Sequence, residues 1–68
     1  MKVTVRGLRI LAGLPQIELA GECGVSPRTV GRWEADEHNV PFGVLLYLSE
    51  RISPARIIVD NGDLRLID

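Results

Sequence analysis

The chain is poor in the groups that cross-link a small fold. It has 68 residues, with one cysteine, Cys23, and one histidine, His38. A single cysteine excludes an intramolecular disulfide, and the usual zinc-ligand spacings need more Cys and His than are present. We therefore expect no metal and no cofactor, and a thin core, because so short a chain buries only a modest fraction of its surface.

The groups that carry out catalysis and the segments that enter membranes are also missing. Cys23 has no partner base, and Glu34 has no second carboxylate or histidine placed to act with it. The sequence shows no secretory signal pattern and no apolar run near the roughly 18 residues of a membrane span. These absences predict a cytoplasmic protein that is not an enzyme and has no small-molecule substrate.

The chain has little surplus charge of either sign, but its charged residues are unevenly distributed. The net charge is −1, which argues mildly against a nucleic-acid partner, because such proteins usually neutralise phosphates with surplus Lys and Arg. Residues 1–34 carry five Lys and Arg against three Glu, whereas residues 35–68 carry three Arg against six Asp and Glu. A basic face and an acidic face can therefore coexist on the same molecule.

Apolar residues at helical spacing, bounded by capping residues, predict four helices. Thr4 and Ser26 are suitable N-caps for the first and third helices, and Gly13 and Gly24 are suitable ends for the first and second. The predicted helices are Val5 to Ala12, Pro15 to about Cys23, Pro27 to about Ala35, and Pro41 to about Arg51. The expected inward residues are Val5, Leu8, Leu11, Ala12, Leu19, Ala20, Cys23, Val30, Trp33, Val44, Leu45, Leu48 and Ile52.

After the helices the periodicity changes to that of strands. Two apolar runs flank Asn61-Gly62, and Asn-Gly is the strongest two-residue hairpin signal, because both positions of a type I′ turn need a positive φ. Pairing outward from this turn predicts one buried face made of Ile57, Val59, Leu64 and Leu66. The opposite, mixed face then holds Arg56, Ile58, Asp60, Asp63, Arg65 and Ile67.

The centre of the chain has the pattern of two helices joined by a short glycine-containing turn. Residues 4–48 resemble the Cro/cI-type (XRE-like) helix-turn-helix family of phage repressors and bacterial transcriptional regulators. The residues that carry the resemblance, in family order and spacing, are Leu8-Arg9, Gly13-Leu14, Gln16, Leu19-Ala20, Gly24-Val25-Ser26, Thr29-Val30, Trp33-Glu34 and Pro41.

The resemblance implies which residues contact DNA. Gln16 matches a position that contacts a phosphate or the outermost base, and Ser26 lies where a hydroxyl or backbone N–H holds a phosphate. Arg28 and Arg32 match base-reading positions one turn apart, and arginine bound to guanine is the commonest specific contact. Thr29 is expected to contact a phosphate or a thymine methyl. The resemblance also implies a structural ion pair between Arg9 and Glu34.

Three residues depart from the family pattern. Pro27 stands where relatives often place a polar base-reading side chain, so it offers DNA only van der Waals contact. Pro15 replaces the usual Thr or Ser cap of the second helix. Gly31 lets the backbone approach DNA closely but reads no base. The sequence therefore assigns specificity mainly to Arg28 and Arg32.

The C-terminal hairpin has two interpretations. Its apolar face caps the helical core, or a free strand edge pairs with a second subunit, since an unprotected edge invites pairing. The alternating segment Met1–Val5 is a candidate third strand. We favour a homodimer through the C-terminal strands, with six candidate dimerisation residues: Ile57, Ile58, Val59, Leu64, Leu66 and Ile67.

Together these patterns predict a mostly α fold with a small β element. One domain, 1–68, contains a helical DNA-binding part, 4–52, and a β-hairpin, 55–68. The expected function is sequence-specific transcriptional regulation, as a phage or prophage Cro-like repressor. It would bind a palindromic operator in double-stranded DNA as a homodimer through Pro27–Ala35, in the bacterial cytoplasm at the nucleoid. Two alternatives stay open: the antitoxin of a toxin–antitoxin pair, and a protein-interaction module that has lost DNA binding.

Overall fold

The computed structural model describes residues 1–67, which form four α-helices followed by a two-stranded antiparallel hairpin. This architecture confirms the predicted fold class. The final residue of the predicted hairpin segment, Asp68, lies outside the described residues. The elements are α1 (Val5–Leu11), α2 (Gln16–Cys23), α3 (Pro27–Ala35), a short 3₁₀ turn (Glu37–Asn39), α4 (Phe42–Arg51), β1 (Arg56–Asp60) and β2 (Asp63–Ile67).

The helix ends follow from local chemistry. The Thr4 hydroxyl accepts a hydrogen bond from the Gly7 N–H at 3.0 Å, and the Ser26 hydroxyl accepts one from the Thr29 N–H at 3.3 Å. Both bonds satisfy an N–H group that the first turn of a helix leaves without a partner. At the other end of α2, Gly24 takes a φ of 69°, a conformation that glycine adopts without steric cost. The predicted capping roles of Thr4, Ser26 and Gly24 are therefore confirmed, whereas the C-cap of α1 is Ala12, one residue before Gly13.

The core lies where the four helices meet the hairpin. It contains residues from every helix and one from β2: Val5, Leu8, Leu14, Leu19, Ala20, Val30, Trp33, Val44, Leu45, Leu48, Ile52 and Leu64. The predicted inward stripes of α3 and α4 are confirmed. Leu11 was expected to be inward but is 58% exposed, at the last residue of α1, where the helix no longer continues along the core.

The hairpin has the predicted register, with Ile57 opposite Leu66 and Val59 opposite Leu64 across the Asn61-Gly62 turn. The expectation that one whole face is buried was wrong in part. Leu64 is buried, but Val59 is 56% exposed, because β1 is the outer strand and, among the described residues, no further strand covers its free edge.

The N-terminal segment covers the other side of the hairpin. The Val3 N–H donates to the Leu64 carbonyl at 3.0 Å, and the Leu66 N–H donates to the Met1 carbonyl at 2.7 Å. Lys2 and Arg65 form an antiparallel bridge between these bonds. Met1 to Val3 thus lies alongside β2 through one isolated bridge, so the candidate third strand Met1–Val5 is present only in part, since α1 already begins at Val5.

The connection between α3 and α4 has defined structure and contacts the first helix. It contains the 3₁₀ turn Glu37–Asn39, whose Asp36 N-cap accepts from the His38 N–H at 3.3 Å. The Glu37 carboxylate accepts a hydrogen bond from the Val5 N–H at the start of α1. A carboxylate at a helix N-terminus also interacts favourably with the helix dipole. The Glu37 carboxylate therefore joins this connection to the first helix by a hydrogen bond.

Candidate nucleic-acid interface

The packing of α2 against α3 fixes the orientation of α3 on the candidate interface. Leu19 and Ala20 on α2 and Val30 on α3 are buried together in the core. The Val25 N–H donates to the Ala20 carbonyl at 3.0 Å, which closes the end of α2 around the left-handed Gly24. The sharp turn at Gly24 and the small side chain of Ala20 let α3 pack against α2 at a defined angle with one face exposed. Such a helix can enter a major groove.

The outer face of α3 presents two arginines. Arg28 and Arg32 are exposed, and their separation of four residues places them one turn apart on the same face. Within residues 1–67, neither guanidinium makes an ion pair or a side-chain hydrogen bond. Both are therefore available to an acceptor that the chain itself does not supply, such as a base edge or a phosphate.

The first turn of α3 carries the remaining predicted contacts on that helix. Pro27 is exposed and Thr29 is half-buried. The hydroxyl oxygens of Ser26 and Thr29 lie 3.2 Å apart and share a hydrogen bond. Because the Ser26 oxygen already caps the helix, its free capacity is smaller than the sequence suggested. The exposed turn is still a suitable place for a phosphate, since helix N-termini favour anions.

Gln16 is held by a buried ionic network. Its Nε2 donates to Glu34 Oε1 at 2.9 Å, while Arg9 Nε donates to Glu34 Oε2 at 2.5 Å. Arg9 Nη1 also donates to the Leu14 carbonyl at 2.8 Å. The Arg9 and Glu34 side chains are about nine-tenths buried. One carboxylate therefore links α1, the start of α2 and the end of α3.

The network leaves the Gln16 amide oriented. One Nε2 hydrogen of Gln16 is engaged with Glu34, so the second Nε2 hydrogen and the amide oxygen remain for other partners. The sequence pattern predicted the Arg9–Glu34 pair through the family resemblance, but it did not indicate the Gln16–Glu34 bond. The two residues are 18 positions apart, and no local pattern connects them.

The side chains that could have carried other chemistry have ordinary surroundings. Cys23 is half-buried, and desolvation, followed by the nearby Glu22 carboxylate, raises the pKa of its thiol. A raised pKa makes a thiol a poorer nucleophile at neutral pH. His38 is exposed and lies beside the hairpin turn at Gly62. Across residues 1–67, no three His, Cys, Asp or Glu side chains come together as a metal site.

Gly31, on the outer face of α3, gives a testable consequence for stability. A Cβ added there has no described heavy atom within 4 Å, and the residue lies inside a helix. We expect Gly31→Ala to stabilise the fold by about 0.5–1 kcal/mol, because alanine loses less backbone entropy on folding. Thermal unfolding followed by circular dichroism measures this gain.

Gly24→Ala is the matched control for that measurement. Its Cβ also meets open space among the described residues, but the backbone there has a φ of 69°. The same substitution should therefore destabilise by about 1 kcal/mol or more, through strain alone. A loss of stability in both variants would contradict the assignment of Gly31 to an ordinary helical position.

No helix in the described part of the chain combines the length and apolar character that crossing a membrane requires.

Comparison with known proteins identifies the family of this chain. A family model described as helix-turn-helix matches residues 5–52, which is well over half of the chain. Neither the curated proteins nor the solved structures include a significant match. The buried α2–α3 pair and the matched family model show that the chain belongs to the Cro/cI-type (XRE) helix-turn-helix family of DNA-binding transcriptional regulators.

Proposed function

We propose that this protein is a sequence-specific repressor of phage or prophage type that binds a palindromic operator as a homodimer. The two subunits associate through the C-terminal strands, and each inserts α3 into one major groove. Two-fold related recognition helices then contact half-sites about one helical turn, roughly 34 Å, apart. Repression follows from covering a promoter in the bacterial cytoplasm. No catalytic step is part of the proposal.

The single observation that carries the proposal is that Arg28 and Arg32 are exposed and have no internal partner within residues 1–67. Both lie on one face of α3. An arginine fork matches the O6 and N7 acceptors of guanine in the major groove. We therefore assign base reading to this pair. Positioning contacts come from Gln16, Ser26, Pro27 and Thr29, which flank the pair at the N-terminal ends of α2 and α3.

Arginine truncation tests the reading surface. Binding sites are first selected from a random duplex pool with the wild-type protein, and affinities for the selected site are then measured by fluorescence anisotropy. We expect Arg28→Ala and Arg32→Ala each to weaken binding about 10- to 100-fold, since a bidentate arginine contributes about 1–3 kcal/mol of discrimination. Preference for guanine at one position of each half-site should relax in each variant.

Arg51→Ala is the control, because Arg51 is also exposed but lies at the end of α4, where it contacts the Tyr47 ring. Its affinity should stay within about twofold of wild type. If Arg28→Ala and Arg32→Ala behave like this control, the assignment of base reading is wrong. A wild-type affinity that does not fall as salt rises would contradict DNA binding as such and favour a protein-interaction module, because phosphate contacts release counterions.

A further inference from the structure

The hairpin has one open edge within the described chain, and it belongs to β1. The other side of β2 is occupied by Met1 to Val3, whose bonds use the Leu64 carbonyl and the Leu66 N–H. Backbone groups in an antiparallel ladder alternate in direction, so Asp63, Arg65 and Ile67 direct theirs toward β1. Their partners on β1 are Asp60, Ile58 and Arg56.

The same alternation decides which groups of β1 are free. Because Arg56, Ile58 and Asp60 bond to β2, the N–H and C=O groups of Ile57 and Val59 point away from the hairpin. A second strand laid along this edge meets two donors and two acceptors at the spacing of an antiparallel ladder. An open edge of this kind is a template for pairing with another chain.

We propose that this edge receives a second copy of the chain, with β1 paired antiparallel to β1 of the partner about a two-fold axis at Ile58. This inference rests on the proposed function, in which two subunits share one operator, and it specifies the register of their association. Ile57 of each subunit exchanges both backbone hydrogen bonds with the residue equivalent to Val59 in the other. The two copies of Ile58 face each other across the axis.

The charges of β1 support this register. The strand reads Arg-Ile-Ile-Val-Asp, with one positive end, one negative end and an apolar middle. Pairing about Ile58 sets Arg56 of each subunit opposite Asp60 of the other, so two oppositely charged cross-strand pairs form on one face. Opposite charges at such positions stabilise a sheet, and like charges destabilise it.

Registers centred on a residue other than Ile58 lose the pairing of Arg56 with Asp60. Moving the axis to Ile57 or Val59 sets a charged end of the strand opposite Ile58 of the partner, and moving it to Asp60 sets two carboxylates face to face. A slip that puts the axis between residues turns each apolar side chain toward the wrong face. Charge and side-chain alternation therefore select the same register.

An apolar groove beside the edge is a second observation that fits a second copy. It lies between α4 and β1, has a volume of about 360 Å³ and is lined by Phe42, Leu45, Leu46, Ser49, Ile57, Ile58 and Val59. Phe42 is 66% exposed and Leu46 is 52% exposed. The proposed pairing brings Ile57 and Val59 of the partner to this groove. Contiguous exposed apolar surface rimmed by charge is typical of an interface.

Charge reversal at the two ends of β1 tests the register. In Arg56→Asp, both ends of the strand are acidic, and in Asp60→Arg, both are basic. Each variant alone then faces two like-charge pairs, so we expect its dimer Kd to rise about tenfold or more. Mixed one to one, the variants form heterodimers in which every acid faces a base, with a Kd near that of wild type. Sedimentation equilibrium gives the constants, and native mass spectrometry distinguishes homodimers from heterodimers.

Arg6→Asp and Glu22→Arg are the matched controls. They make the same changes of charge on exposed residues of α1 and α2. Alone or mixed, they should leave the dimer Kd unchanged. Circular dichroism checks that each β1 variant is folded, which matters for Asp60→Arg because it also removes an exposed Asp60–Arg65 contact of 3.1 Å.

Hydrogen exchange provides a second measurement that requires no variant. The Ile57 and Val59 amides should exchange rapidly at low protein concentration and become protected as the dimer forms. A wild-type protein that stays monomeric at millimolar concentration overturns the proposal, as does a mixture that dimerises no better than its separate components. A wild-type protein that dimerises with this register but selects no duplex from the random pool supports the pairing and refutes the DNA-binding proposal instead.

Discussion

Replacing Glu34 by alanine is expected to lower the free energy of unfolding by about 3 kcal/mol or more. The substitution leaves the Arg9 guanidinium, which is about nine-tenths buried, without its counter-charge. Breaking a buried ion pair by removing one partner is strongly destabilising, because the remaining charge stays desolvated. A domain of this size has a total stability of about 3–10 kcal/mol, so the loss is a large fraction of the whole. Urea unfolding measures it.

The exposed Glu22, on α2, supplies the control for this prediction. Glu22→Ala should change stability by no more than about 0.5 kcal/mol. The double variant Arg9→Met, Glu34→Leu should cost less than the sum of its single substitutions, because it removes both charges together. Strict additivity would show that the contact between Arg9 and Glu34 contributes nothing to the fold.

The same experiment bears on DNA binding. Glu34 also holds the Gln16 amide, at 2.9 Å, at the start of α2. A Glu34→Gln variant, which keeps a side chain of similar size, should retain more stability than Glu34→Ala. It should still weaken operator binding, because the Gln16 amide loses its charged acceptor and its orientation.

Replacing Leu8 by alanine is the second substitution with a large expected effect. Leu8 is 0% exposed and lies in the middle of α1, where it contacts the core. We expect a loss of about 2–5 kcal/mol, which combines the lost transfer free energy of the side chain with the cost of the cavity left behind. Urea denaturation at a protein concentration where the chain is monomeric separates this loss from any effect on association.

Leu11→Ala is the matched control, since it is the same substitution in the same helix. Leu11 is 58% exposed, so its truncation removes little buried surface, and the expected change is below about 1 kcal/mol. Comparable losses in the two variants would mean that α1 is oriented differently against the core. Periodicity alone placed both leucines on one stripe, and only their burial distinguishes them.

The elements of the fold could be predicted because their signals are local. Thr4 and Ser26 cap helices a few residues away, Gly24 ends α2 where a positive φ is needed, and Asn61-Gly62 sets the register of its own hairpin. Each of these signals acts within about four residues. For that reason, the order of helices and strands, the cap residues and the pairing of β1 with β2 all followed from the sequence.

The candidate site was predicted less completely. The family spacing identified the residues of α3, and Arg28 and Arg32 do lie exposed on one face of that helix. It did not indicate that Ser26 and Thr29 share a hydrogen bond, or that Gln16 is held by Glu34. These contacts depend on side-chain rotamers and on the distance between two helices, which a pattern of residue types does not specify.

What the sequence determined by itself is therefore the set of elements, their caps and the exposed face of α3 that we propose contacts DNA. The tertiary structure decided three further matters: that Glu37 caps α1 from 32 residues away, that Leu11 projects into solvent, and that β1 has the open edge of the hairpin. The physical reason is the same in each case. These features depend on how whole elements pack, so they arise from contacts between residues far apart in the chain, whereas caps, turns and periodicity arise from neighbours.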